Sequence, residues 1–179
     1  MFDLATYHPI IVHAPLVLLP VAVVFGIADL IAPRAGLRLA ALILLLFGAG
    51  GAFLATQTGE AAEHAAFSSG VNVHQITVGG AIPAAVGGGS LLETHQTLGD
   101  TTAYLYGFLF VVGAAVFFAT SETTRRWRGS WTLAAPTARL IHGIWLTVAT
   151  IGLIVVVLTG YYGGQLVYDH GVGVSTTTK

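Results

Sequence analysis

Histidine is the residue type in this chain with the most obvious capacity for chemistry. The 179 residues include seven histidines and no cysteine, so disulfides, thiolate metal ligands and cysteine-held haem or iron–sulfur groups are excluded. Neutral imidazole, in contrast, is the commonest metal ligand in proteins. The sequence has no phosphate-binding or dinucleotide-binding glycine motif, no His-Glu-x-x-His motif and no Gly-x-Ser-x-Gly turn. We therefore expect ligand binding by imidazole, and no side chain suggests a nucleophile that would make the protein an enzyme.

The composition indicates the environment in which these histidines lie. Hydrophobic residues make up 55% of the sequence, charged residues 8%, and the mean hydropathy is +0.81, whereas an ordinary soluble domain has about 25% charged residues. So few charges could not cover a folded surface in water, and the chain is predicted to lie in a lipid bilayer. The seven basic and eight acidic side chains nearly cancel, which argues against a nucleic-acid partner, because phosphate binding needs a basic face.

Four apolar stretches are long enough to cross the bilayer as helices, which takes about 20 residues each. They lie at about 9–32, 37–56, 102–120 and 139–162. The second is expected to extend to about residue 67, and the third to begin near residue 91. Within the first span, Pro9 suits a helix start, while Pro15 and Pro20 should bend the helix.

The predicted fold is an all-α, integral membrane, antiparallel four-helix bundle formed by a single domain, residues 1–179. A partly helical cap is expected over residues 57–101, with a glycine-rich, irregular middle. The glycines from Gly160 onward predict that the fourth helix loses its regularity there. The tail, residues 163–179, should then be irregular and fold back under the same cap.

The arginines indicate how the bundle is oriented. Two of the connections between spans contain all of them: Arg34, Arg38, Arg125, Arg126, Arg128 and Arg139. Under the positive-inside rule these connections are cytoplasmic, so both termini and the cap face outward, into the periplasm of a bacterial inner membrane. The three tryptophans cluster at the cytoplasmic side and the six tyrosines at the outer side, as interfacial belts would.

Six of the seven histidines share the predicted outer side. His13 should lie about 6 Å inside the first span, and a helix rise of about 1.5 Å per residue places His64 and His95 roughly 12 Å above the apolar stretches. We regard His13, His64 and His95 as candidate cofactor ligands, with His8 as a substitute. Glu60 and His64 are spaced i, i+4 and would share a helix face, so Glu60, His64 and His95 form a candidate metal site.

The remaining polar groups suggest ordinary structural roles. His74 and His170 are expected to be bystanders, and His142, alone at the cytoplasmic side, should bond a neighbour or lie in the interface. Asp29 is expected to pair with Arg34 or Arg38.

Several short motifs resemble a widespread bacterial family of small predicted membrane proteins, catalogued as a domain of unknown function. The opening His8–Pro15 (HPIIVHAP) is similar to that family's His-Pro…Val-His-Phe-Pro motif, and the closing Gly163–Val174 (GGQLVYDHGVGV) is similar to its end. Thr58–Ala61 and His95 also match. Two departures are Ala14 in place of phenylalanine and Gln96 in place of glutamate. The resemblance implies a four-helix inner-membrane protein that sometimes accompanies cytochrome domains.

The leading functional hypothesis is a membrane protein that binds a b-type haem, or a metal, through outer-face histidines. It would serve electron transfer or form a subunit of a respiratory or cytochrome-containing complex. One objection is that His13 has no histidine partner at equal depth. The alternatives are a non-catalytic scaffold or accessory subunit, and a zinc or copper protein using imidazole and carboxylate. A homo-oligomer is left open.

Overall fold

The computed structural model of the protein describes residues 4–68, 76, 82, 85, 89–130 and 132–172. It consists of helices: α1 (Leu4–Ile11), α2 (His13–Ile31), α3 (Ala35–Ser68), α4 (Leu91–Thr120), α5 (Arg125–Arg128) and α6 (Ala135–Tyr168), with a 3₁₀ turn at Glu122–Thr124. Four helical stretches are long and apolar enough to cross a membrane, α1 and α2 together forming the first. The described residues contain no strand, and the predicted all-α membrane fold is confirmed.

The four long stretches pack in a ring in which each neighbour runs antiparallel to the last. α2 packs on α3, α3 on α4, α4 on α6, and α6 on α2, while α1 packs on α3. One end of the bundle holds the start of α1, the end of α3, the start of α4 and the end of α6; we call it the histidine end. The other holds the connections rich in arginine, and we call it the arginine end.

Large side chains fill the middle of the ring, and their polar atoms are bonded to backbone. The Tyr106 hydroxyl donates to the Ala149 carbonyl at 2.7 Å, and Trp145 Nε1 donates to the Leu109 carbonyl at 2.7 Å. Both side chains are buried, so these bonds avoid the cost of an unpaired polar group in an apolar medium. They also tie α4 to α6 near the centre of the bundle.

Small residues on α3 bring α2 close, as the Gly48–Ala52 run predicts. A Cβ atom at Gly48 would lie 2.6 Å from Leu19 Cδ2, and one at Gly51 would lie 2.8 Å from Ala14 Cβ. Both contacts are shorter than real Cβ atoms allow, so only glycine permits this separation of the two backbones.

The first span begins earlier than the sequence predicts. Pro9 lies inside α1, which starts at Leu4, so the expectation that Pro9 begins the helix is wrong. The helix is interrupted at Val12, between α1 and α2. Pro15 explains the interruption, because proline has no N–H to donate one turn back and its ring crowds that turn. As a result His8 is held on a helix instead of preceding one.

The fourth span is longer than predicted. α6 continues through Gly160 and Gly163 to Tyr168, so the expectations of a break at Gly160 and an irregular tail from residue 163 are wrong over this stretch. Each glycine costs about 1 kcal/mol of helix propensity relative to alanine. Here the two glycines accept side chains from neighbouring helices, Leu16 and His95, and that packing offsets the cost.

The residues that follow α6 turn back toward the bundle. Gly171 has a φ of 66°, its N–H bonds the Val167 carbonyl at 3.0 Å, and Val172 packs against the cluster that includes Tyr162 and Leu166. This left-handed glycine is an ordinary way to end a helix. Residues 173–179 of the predicted tail lie outside the described residues.

The predicted helical extensions of the cap are confirmed: α3 reaches Ser68 and α4 starts at Leu91. Ser90 and Glu93 form a reciprocal capping box at the start of α4, with Glu93 N–H bonding Ser90 Oγ at 3.1 Å and Glu93 Oε2 accepting from Ser90 N–H at 3.1 Å. This box fixes where α4 begins. The predicted irregular middle of the cap, which includes His74, lies largely outside the described residues.

At the arginine end, the predicted pairing of Asp29 is confirmed. Asp29 is 1% exposed. Its carboxylate accepts from Arg38 Nε at 2.9 Å and from the Arg34 backbone N–H at 2.9 Å. Arg38 also donates to Thr120 Oγ1 at 3.2 Å, so this ion pair links α2, α3 and α4.

Candidate functional site

Two histidines from opposite halves of the chain meet at the histidine end. The ring centroids of His8, on α1, and His95, on α4, are 6.4 Å apart, and the ring planes are perpendicular, at 90°. Both side chains are half-buried. The antiparallel packing of α1 on α3 and of α3 on α4 brings them together from positions 87 residues apart in the sequence.

The surroundings of His8 fix which of its nitrogens carries the proton. His8 Nδ1 lies 3.1 Å from Thr58 Oγ1. The Thr58 hydroxyl already donates its hydrogen to the carbonyls of Leu54, at 2.9 Å, and Ala55, at 3.2 Å. A hydroxyl has only one hydrogen. With that hydrogen on the carbonyls, the hydroxyl accepts from His8, and Nδ1 of His8 is then the N–H donor.

His95 is fixed in the same way by a backbone carbonyl. His95 Nδ1 lies 2.9 Å from the Thr159 carbonyl oxygen on α6, and a carbonyl can only accept. Nδ1 of His95 is therefore also an N–H donor. In the neutral form of either ring, the lone pair then resides on Nε2, the nitrogen through which the ring would bind a metal centre.

Each ring also lies against a glycine of the helix that fixes its tautomer. A Cβ atom at Gly59 would lie 3.2 Å from Cε1 of His8, and one at Gly163 would lie 2.8 Å from Cε1 of His95. The two histidines thus have the same kind of surroundings. Each ring has an oxygen atom that bonds its Nδ1 and a glycine on which it packs.

Replacing Gly163 by alanine should displace the His95 ring and lengthen its bond to Thr159. Because the added methyl would meet Cε1 at 2.8 Å, we expect a loss of stability of about 1–3 kcal/mol, despite alanine's better helix propensity. Thermal unfolding in detergent measures this change. The matched control is Gly164→Ala, where the nearest neighbouring atom is Tyr168 Cδ2 at 4.0 Å, and equal stability of the two variants would contradict the assignment.

The other sequence-predicted ligands have exposed side chains. His13, the first residue of α2, has its Nδ1 2.6 Å from the carbonyl of Pro9 on α1, and His64 and Glu60 are exposed on α3. Over the described ranges, no three histidine, aspartate or glutamate side chains form a group that could hold a metal ion. The three-ligand site of Glu60, His64 and His95 stays a prediction without support from such a group.

Gln96, one of the two departures from the family pattern, has a clear local partner. Its Nε2 donates to Glu63 Oε2 at 2.6 Å, joining α3 and α4 one residue away from His95. A glutamate at this position would bring two carboxylates together. With glutamine, the contact becomes a hydrogen bond that helps to hold α4 in register beside the site.

The supporting residues Thr58, Gly59, Thr159 and Gly163 were not assigned roles from the sequence. A signal was present for three of them, because Thr58 and Gly59 stand in the short motif after the second span and Gly163 opens the closing motif. Thr159 carried none, since it contributes only its backbone carbonyl.

The four long apolar helices define an integral membrane protein of the four-helix type. Comparison with known proteins agrees: a family model described as "Predicted membrane protein (DUF2231)" matches residues 5–176. The chain belongs to this family, as the resemblance of its opening and closing motifs implies. No curated protein and no solved structure shows significant similarity to the chain.

Proposed function

We propose that this membrane protein binds one b-type haem through His8 and His95 and transfers electrons at the histidine end. The observation that carries the proposal is the matched hydrogen bonding of the two rings. Nδ1 of His95 donates to a carbonyl, and Nδ1 of His8 donates to Thr58 when that hydroxyl gives its hydrogen to carbonyls of its own helix. This arrangement leaves Nε2 of each neutral ring unprotonated. Ligating histidines in metalloproteins show this same pattern, in which the second ring nitrogen is bonded to a fixed acceptor.

The separation and number of the imidazoles favour haem over a bare metal ion. With metal–nitrogen bonds of about 2.0–2.1 Å, two imidazoles on opposite sides of one ion have ring centres roughly 6 Å apart, close to the 6.4 Å found here. A structural zinc ion needs about four protein ligands and a catalytic one about three. Haem iron takes only its axial ligands from the protein, and the described residues offer two at this place.

The residues around the pair would tune the bound group. Haem supplies an iron that is reversibly reduced by one electron, and axial ligation and burial set its potential. Thr58 and the Thr159 carbonyl orient the rings and keep their Nδ1 protons in place. The buried side chains of Leu91, Leu98 and Tyr162 at the same end limit the access of water.

The electron partner is expected on the periplasmic side of a bacterial inner membrane. The arginine-rich connections support this orientation under the positive-inside rule, which puts His8 and His95 at the outer face. A respiratory or cytochrome-containing membrane subunit that approaches this face would exchange electrons with the site.

Absorption spectroscopy of the protein, purified from membranes of haem-replete cells, tests the proposal. We expect a Soret band that shifts on reduction, sharp α and β bands of a six-coordinate low-spin haem, and about one haem per chain. A colourless protein would overturn the proposal: stoichiometric zinc or copper in it would favour the bare-metal alternative, and no bound group would favour the scaffold.

A further inference from the structure

A second cleft, far from the histidine pair, lies at the arginine end between α2, α4 and α6. It has a volume of about 610 Å³, within the range of about 300–1,000 Å³ typical of small-molecule sites. Its walls come from Asp29 and Leu30 on α2, Val116 and Thr120 on α4, and Arg139 and His142 on α6. None of these residues takes part in the proposed haem site.

The charged groups of this cleft leave a positive surplus. Asp29 and Arg38 also line it, but they neutralise each other through the 2.9 Å bond between Arg38 Nε and the Asp29 carboxylate. Arg139 makes no ion pair with any described residue. Its guanidinium therefore gives the cleft a net positive charge.

His142 and two threonines add polar groups beside that charge. His142 Nε2 lies 3.3 Å from the Gly26 carbonyl, and the ring stacks on Trp145 with centroids 5.8 Å apart and planes at 15°, so its position is fixed. Thr120 and Thr132 line the same cleft. The Thr120 hydroxyl already donates to the Val116 carbonyl at 2.7 Å, and His142 Nε2 faces the Gly26 carbonyl. An anion entering here would therefore meet the Arg139 guanidinium, with the Thr132 hydroxyl in the same cleft, and a guanidinium suits phosphate.

The remaining walls indicate what the phosphate is attached to. Leu30, Ile31 and Val116 line the cleft, and Leu30 and Ile31 are 48% and 78% exposed on the lipid-crossing helix α2. A ligand in this cleft thus meets a cation and an apolar, membrane-facing surface together. Basic pockets between membrane helices on the cytoplasmic side commonly bind anionic lipid headgroups.

We infer that this cleft binds the phosphate headgroup of an anionic phospholipid, with Arg139 as its main cation. This site is independent of the proposed haem site.

Native mass spectrometry of the detergent-purified protein tests this inference. The probes are phosphatidylglycerol and phosphatidylcholine with identical acyl chains, and inorganic phosphate as competitor. We expect preferential binding of phosphatidylglycerol, and a loss of about fivefold in its affinity for Arg139→Gln, which corresponds to roughly 1 kcal/mol per basic residue. Inorganic phosphate should not displace the lipid, because it lacks the acyl chains that meet the apolar wall.

Arg125→Gln is the matched control. Arg125 is an exposed arginine at the same end that does not line the cleft and that pairs with exposed Glu122 at 3.4 Å, so its replacement should leave the lipid preference unchanged. Three results would overturn the inference: equal affinity for the two lipids, equal losses in the two variants, or displacement of the lipid by free phosphate. Arg139 is exposed, so unchanged melting of the lipid-free variant will show that folding is intact.

Discussion

Replacing His95 by alanine is expected to abolish haem binding, because the iron would lose one of its two axial ligands. Changing a residue that merely orients a ligand typically costs about 10–100-fold in metal affinity, and loss of the ligand itself should cost at least that much. The same result is expected for His8→Ala. Pyridine haemochrome analysis of the purified variants measures haem per chain, and haem added together with imidazole to the His95→Ala variant should restore part of the low-spin spectrum.

His13 and His64 provide matched controls for this experiment. Both were candidate ligands from the sequence, and both side chains are exposed in the structure. His13→Ala and His64→Ala should therefore retain one haem per chain. Loss of haem in these two variants, with retention in His8→Ala and His95→Ala, would show that the proposed pair of ligands is wrong.

Replacing Arg38 by methionine is expected to destabilise the bundle by roughly 3 kcal/mol. The substitution leaves the carboxylate of Asp29, which is 1% exposed, without its guanidinium partner, and an uncompensated buried charge carries a cost of about 3–5 kcal/mol. The Arg34 backbone N–H still bonds Asp29 Oδ1, which places the expected value at the lower end. Unfolding of the protein in mixed detergent micelles measures the free energy.

A second change at the partner position separates the buried charge from simple loss of packing. In the double variant Asp29→Leu with Arg38→Met, both charges are gone, and most of the lost stability should return. Arg125→Met, which removes only an exposed pair with Glu122, should cost no more than about 1 kcal/mol. If Arg38→Met costs as little as Arg125→Met, the ion pair does not hold this end together.

Much of the fold could be predicted from the sequence because lipid imposes simple rules on length and polarity. The four spans follow from apolar length, and the helical extensions to Ser68 and from Leu91 were expected beyond them. The predictions that were wrong concern a proline and a glycine. Local propensity argued for a helix start at Pro9 and a break at Gly160, whereas both residues lie inside helices, with Leu16 of α2 packed on Gly160.

The candidate site was only partly predictable, because depth along a helix says nothing about the direction of a side chain. His64 and His95 share a predicted level, yet His64 is exposed on α3. His13 lies just over one turn beyond His8 on the first span, but its ring is exposed and bonds the carbonyl of Pro9 on α1. The structure pairs His95 with His8, which the sequence offered only as a substitute.

Electron paramagnetic resonance of the oxidised protein tests most directly whether His8 and His95 hold one iron between them. Two axial imidazoles with perpendicular planes, as the 90° angle between these rings predicts, give a strongly anisotropic low-spin ferric signal. We expect this signal in the wild-type protein and its loss in His8→Ala and His95→Ala, because these variants retain no haem. A high-spin signal alone in the wild type, or no ferric haem signal at all, would contradict it.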